Sequence, residues 1–153
     1  MECRPAVRVL LVDDDRDGAN STAMLLRHFG AEVHAVYDSR LACDEAHLFE
    51  PDLMLIDLSM PHLDGCAVAR QLRSTQQFGA TPLAVVSGHT DAEHCAACAA
   101  AGFDEYLVKP VPLELLVRLL EEIRTVKALG EAASERSLSQ IKFGFTATEA
   151  ANQ

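Results

Sequence analysis

The sequence predicts an α/β fold, a doubly wound five-stranded parallel sheet with helices on both faces. Three observations carry that prediction. Short apolar runs alternate with stretches of helical apolar spacing along the chain, the pattern of strands joined by crossover helices. The run LMLI at 53–56 is apolar at every position, as a central strand covered on both sides should be. The length of 153 residues, 49% of them apolar, suits one domain with one core better than two.

Each element follows from local signals. Residues 7–12 (VRVLLV) read as a buried strand and 19–29 (ANSTAMLLRHF) as a helix closed by Gly30. Residues 33–36 give a short strand, and the next helix starts near Asp38 or Ser39 and stops before Pro51. The third strand, 53–56, ends at Asp57, and 64–74 (DGCAVARQLRS) is the third helix. Residues 83–86 (LAVV) form the fourth strand. Thr90-Asp91-Ala92-Glu93 has capping-box spacing with Thr90 as the cap, opening a fourth helix that Gly102 closes. Residues 106–108 are the fifth strand, and Pro112 sits in the first turn of a last helix reaching about Leu129. The domain is therefore expected to span 1–129. Residues 130–153, small and polar apart from IKFGF, are expected to be a mobile tail or a truncated linker.

Composition excludes several functions. A net charge of −10 argues against direct binding to nucleic acid or an anionic membrane. No stretch resembles a membrane span, and MECRPAVR lacks the apolar core of a signal peptide, so a cytoplasmic location is expected. Met1 just before the first strand favours a natural N-terminus. Five cysteines without framework spacing suit reduced thiols. Cys95 and Cys98 form a CxxC near His89 and His94, but they lie in an alanine-rich helical stretch, and no second CxxC or HxxxH completes a tetrahedral set. They read as small buried or half-buried helix residues. His28, His34, His47 and His62 are scattered and receive no role.

In a doubly wound sheet, ligands bind outside the carboxyl ends of the strands. Strand one ends in Asp13, Asp14 and Asp15, strand three in Asp57, strand four in Ser87 and strand five in Lys109-Pro110. Two carboxylates about 4 Å apart repel by roughly 4 kcal/mol at an effective dielectric near 20, so such a cluster calls for a cation. Carboxylates and water suit Mg²⁺, which commonly shares them with a phosphate. Asp15 reads as a solvated or capping carboxylate rather than a further ligand.

The motifs VDDD, LMLIDLSMPHLDG, AVVSGH and DEYLVKP, spread over about residues 7–127, together resemble the receiver domain of two-component response regulators of the chemotaxis-regulator type. The resemblance implies a flavodoxin-like sheet of order 2-1-3-4-5 and Asp57 as phosphoacceptor, fed by a histidine kinase or histidine phosphotransfer protein. It implies Mg²⁺, with Mn²⁺ an acceptable substitute, held by Asp14 directly, Asp13 largely through water, Asp57, and the backbone carbonyl of Ser59. Ser87 matches the switch hydroxyl, Tyr106 the switch aromatic and Lys109 the phosphate-binding lysine, followed by a cis peptide to Pro110. Ser59 and His89 flank the approach of hydrolytic water.

Phosphorylation should draw Ser87 toward the new group and let Tyr106 rotate inward. That movement would re-form the surface of the fourth helix, fifth strand and last helix for a downstream protein partner or a second copy of the chain. Such a protein is not an enzyme in the usual sense, catalysing only its own phosphotransfer and dephosphorylation. A flavin module is the first rival, but three aspartates would repel its phosphate. An aspartate-nucleophile phosphatase is the second; it needs an acid where Ser59 stands. The chain fits a stand-alone receiver, or the receiver piece of a longer regulator or hybrid histidine kinase.

Overall fold

The computed structural model describes residues 6–132. Strands and helices alternate in the order β1 (Arg8–Val12), α1 (Arg16–His28), β2 (Glu32–Val36), α2 (Ala42–Phe49), β3 (Leu53–Asp57), α3 (Gly65–Ser74), β4 (Leu83–Ser87), α4 (Ala92–Ala101), β5 (Glu105–Val108) and α5 (Leu113–Ala132). Every strand pairing is parallel, and the sheet order is β2-β1-β3-β4-β5, as the resemblance implied. β3 is buried at all five positions, which explains the uniformly apolar run at 53–56 that leads to Asp57.

Alternation along the strands divides the core in two. Leu10, Met54, Ile56, Leu83 and Val85 pack on one face with Ala46, Leu72 and Cys98 from α2, α3 and α4. Val9, Leu11, Leu55 and Leu107 pack on the other with Leu26 of α1 and Leu119 of α5. Among the described residues no helix is long and apolar enough to cross a membrane.

Strand ends differ from expectation by a residue, and helix ends by more. α1 begins at Arg16 rather than Ala19; Arg16, Asp17 and Gly18 add no apolar periodicity and glycine is a poor helix former, so apolar spacing does not show this first turn. The second helical region is a 3-10 turn at Ser39–Leu41, capped by the Asp38 carboxylate on the Arg40 N–H, followed by α2. The cap of α4 is Asp91, whose carboxylate accepts from the His94 N–H, not Thr90. α5 runs to Ala132, so the boundary expected at Leu129 falls inside a helix. Pro112 stands just before that helix, its carbonyl accepting from the N–H groups of Leu115 and Leu116. The remainder of the expected tail, 133–153, lies outside the described residues.

Arg73, at the end of α3, fastens the edge of the fold opposite the strand ends. Its guanidinium donates to the carbonyls of Gly102, Phe78 and Thr81 at 2.9, 2.8 and 2.7 Å and to the Asp104 carboxylate at 2.8 Å. Gly102 closes α4 at φ +111°, and a Cβ there would lie 2.6 Å from Arg73 Cγ. Both its backbone conformation and its neighbour require glycine.

Candidate functional site

The register of the sheet brings the polar strand ends to one rim. Asp57, the last residue of β3, pairs with Val86 of β4, so Ser87 lies one step further along. Ser87 pairs with Val108 of β5, and Lys109 extends that pairing by donating its backbone N–H to the Ser87 carbonyl at 2.8 Å. On the other side the Asp13 N–H donates to the Val36 carbonyl at 3.0 Å, just beyond β1 and β2. Asp13, Asp15, Asp57, Lys109 and Pro110 line an open cleft of about 490 Å³.

Within that cleft Asp57 is 7% exposed. Lys109 Nζ stands 3.1 Å from Asp57 Oδ1 and 4.0 Å from Asp13 Oδ2. One carboxylate oxygen from each of Asp13, Asp14 and Asp57 lies within 4.8 Å of the others. Burial raises the Asp13 pKa, and the charges of Asp57 and Asp14 push the same way, against the Asp15 N–H and Lys109. For Lys109, burial opposes the charged form, yet the Asp57 hydrogen bond and the charges of Asp57, Asp13 and Asp15 outweigh it and raise its pKa. One ammonium among three carboxylates leaves a negative surplus. An all-oxygen donor set with that surplus fits a hard divalent cation such as Mg²⁺. Asp13 Oδ1 already accepts from the Asp15 N–H at 2.9 Å, while Asp14 is exposed. Asp15 takes the cap position of α1, exposed and without a side-chain cap bond.

A second group lies beside the first. Ser87 and Tyr106 are 1% and 2% exposed, and both engage the backbone of His89. The His89 N–H donates to Ser87 Oγ at 3.0 Å, and the Tyr106 hydroxyl donates to the His89 carbonyl at 2.8 Å. Burial pushes the Tyr106 phenol up, with the Ser87 hydroxyl pulling the other way. The Tyr106 ring is buried in this structure, where no phosphoryl group is on Asp57. Ser59 and His89 are both exposed, and the Lys109-Pro110 peptide is cis.

Sequence reasoning passed over Gly65. A Cβ there would lie 2.6 Å from the Asp57 carbonyl oxygen and 2.9 Å from Leu58 Cα, so its missing side chain lets α3 start against the end of β3. Its place right after Asp64, whose carboxylate caps α3 by accepting from the Ala67 N–H at 2.8 Å, is the available signal. Cys95 and Cys98, expected as small buried or half-buried helix residues, are both buried in α4, and Cys98 Sγ is 3.8 Å from Cys66 Sγ. Burial, with Cys66 adding to it, pushes the Cys98 thiol up to about 12.

Comparison with known proteins gives a consistent result. Residues 9–121 match the family described as the response regulator receiver domain. Response regulator MprA of Mycobacterium bovis (strain BCG / Pasteur 1173P2) is 38% identical over 130 residues, 84% of this chain and 56% of that protein. MprA of Mycobacterium tuberculosis (strain ATCC 25177 / H37Ra) is 37% identical, with the same coverage of 84% and 56%. The chain spans about half the length of the curated relatives it matches. Among solved structures, the chemotaxis response regulator CheY4 of Vibrio cholerae superposes with a TM-score of 0.73 at 28% identity, covering 78% of this chain and 99% of that one. The signal receiver domain of a histidine kinase from Syntrophus aciditrophicus shares the fold, with a TM-score of 0.73 at 22% identity over 87% of this chain and 96% of that one.

Proposed function

Because the chain belongs to the response regulator receiver domain family of two-component signalling, we propose that it is a phosphorylation-controlled switch whose acceptor is Asp57. The observation that carries this reading is the Asp57 carboxylate itself, buried at a strand end with an ammonium at 3.1 Å and two further carboxylates within 4.8 Å.

In this reading an Asp57 oxygen attacks the phosphorus of a phosphohistidine on a kinase or phosphotransfer protein, and the imidazole leaves as the acyl phosphate forms. Lys109 faces the equatorial oxygens and stabilises their growing charge. Asp13, largely through water, with Asp14, Asp57 and the Ser59 carbonyl would hold Mg²⁺, or Mn²⁺ in its place, which would add the further positive charge that phosphoryl transfer needs. Ser87 donates to a phosphoryl oxygen that exists only after transfer, a contact that distinguishes the two states. His89, whose backbone joins Ser87 and Tyr106, carries that difference to the α4-β5-α5 surface. There the chain meets a downstream protein or a second copy of itself, on its own or as the receiver portion of a longer regulator or hybrid kinase in the cytoplasm. Ser59 and His89 border the path of the water that returns the protein to its resting form.

Intact-mass measurement after incubation with acetyl phosphate and Mg²⁺ tests the reading. One added phosphate is expected on the wild type and none on Asp57→Asn, whose amide is a poor nucleophile. Labelling retained in that variant would overturn the assignment, and sustained turnover of a chromogenic phosphate ester would favour a phosphatase.

A further inference from the structure

His89, Asp91 and His94 gather at the loop between β4 and α4, apart from the aspartate cluster. One ligand atom from each lies within 4.8 Å of the others. The two imidazoles stack with centroids 4.0 Å apart and planes 2° from parallel. His94 Nδ1 lies 2.7 Å from the Asp91 carboxylate. We propose that these three side chains form a second metal site, for a borderline transition ion, Zn²⁺, rather than for the hard cation of the aspartate cluster.

Donor chemistry selects the ion. Two imidazole nitrogens and one carboxylate oxygen suit Zn²⁺, whereas Mg²⁺ takes oxygen donors almost throughout. Three protein ligands leave the fourth tetrahedral position to water. Neighbouring donors in a tetrahedral Zn²⁺ shell stand about 3.3 Å apart, and an ion lies in the plane of each imidazole that binds it, so one of the two parallel rings must turn before both nitrogens face one ion; His89, exposed in the loop, is the ring that turns, while Asp91 and His94 stay as they are.

The backbone under the cluster is fixed, which separates it from a chance meeting of surface side chains. Asp91 is held as the cap of α4, its Oδ2 accepting from the His94 N–H at 3.1 Å. His89 is held from both sides by the buried Ser87 and Tyr106, at 3.0 and 2.8 Å. The positive end of α4 works against a cation here, and the Asp91 carboxylate offsets it locally. An ion on these ligands would tie the head of α4 to the backbone that Ser87 and Tyr106 hold.

The test is calorimetric titration of the whole chain with Zn²⁺ in saturating Mg²⁺, which keeps the aspartate cluster occupied. A single site is expected, weakened by about tenfold or more in His89→Ala and in His94→Ala. Stoichiometric Zn²⁺ should move the ring resonances of His89 and His94 and leave those of His28, His34, His47 and His62 in place. His89 is exposed in a loop, so its variant keeps the fold, and circular dichroism verifies that. Absence of binding, equal affinity in His89→Ala, or shifts at the other four histidines instead would overturn the proposal.

Discussion

The Tyr106 hydroxyl donates to the carbonyl oxygen of His89 across 2.8 Å, so an aromatic ring in β5 holds the loop that precedes α4. Tyr106→Phe removes that bond together with the hydroxyl's contact to Ser87 and should cost about 1 kcal/mol in urea denaturation, with faster amide exchange over residues 88–91. Tyr106→Ala also empties a buried space and should cost about 3–5 kcal/mol. Equal stability of wild type and Tyr106→Phe would mean that the bond adds nothing beyond what water provides.

Gly65→Ala places a methyl carbon 2.6 Å from the Asp57 carbonyl. Both near neighbours are backbone, so α3 or the end of β3 must shift. A loss of about 1–3 kcal/mol in thermal melts is expected, together with slower labelling by acetyl phosphate, since small displacements of a reacting group are costly. An unchanged labelling rate would show that α3 yields and Asp57 does not.

Much of this was legible in the chain. LMLI announced a central strand, and the polar residues after four apolar runs announced the rim, because parallel topology sends every strand's carboxyl end the same way. The capping box misplaced the start of α4 by one residue because Thr90 and Asp91 are both competent caps; the carboxylate won, with His94 also closing on it. The approach of Gly65 to Asp57 and the stacking of His89 on His94 depend on loop conformation and inter-element distance, which residue spacing does not encode. Tyr106 is placed in the right strand, but the partner of its hydroxyl, the His89 carbonyl, stands 17 positions away, a contact that spacing does not encode.

Acid titration should report on Asp38. Its hydrogen bonds from Arg40 lower its pKa from 3.8 to about 2. A depressed acid stabilises the folded protein above its unfolded value and loses that contribution as pH falls from about 3.8 through about 2. Asp38→Ala should therefore be less stable than wild type at neutral pH, with the gap closing across that window. A gap that persists unchanged at the acid end would assign the difference to helix propensity rather than charge.

Thiol chemistry should follow burial. With its pKa pushed up to about 12, Cys98 stays protonated at neutral pH and is shielded by α3. Iodoacetamide should spare Cys66 and Cys98 in the folded protein and modify both in urea, as read by peptide mass. The sign on stability is negative toward alkaline pH: the unfolded thiol ionises near 9 and the folded one near 12, so stability falls between them. Rapid modification under native conditions would reveal local opening of α4.

Arg73 gives the molecule a mechanical asymmetry. Its guanidinium moors the foot of α4 at Gly102 and the approach to β5 at Asp104, while the head of α4, at Ala92, rests on the short loop bonded to Ser87 and Tyr106. Ten residues at 1.5 Å each make this helix a boom of about 15 Å. A pull on Ser87 would reach it as a swing about a pinned end rather than a slide along the sheet, so surface near Ala92 would travel furthest and surface near Ala101 least.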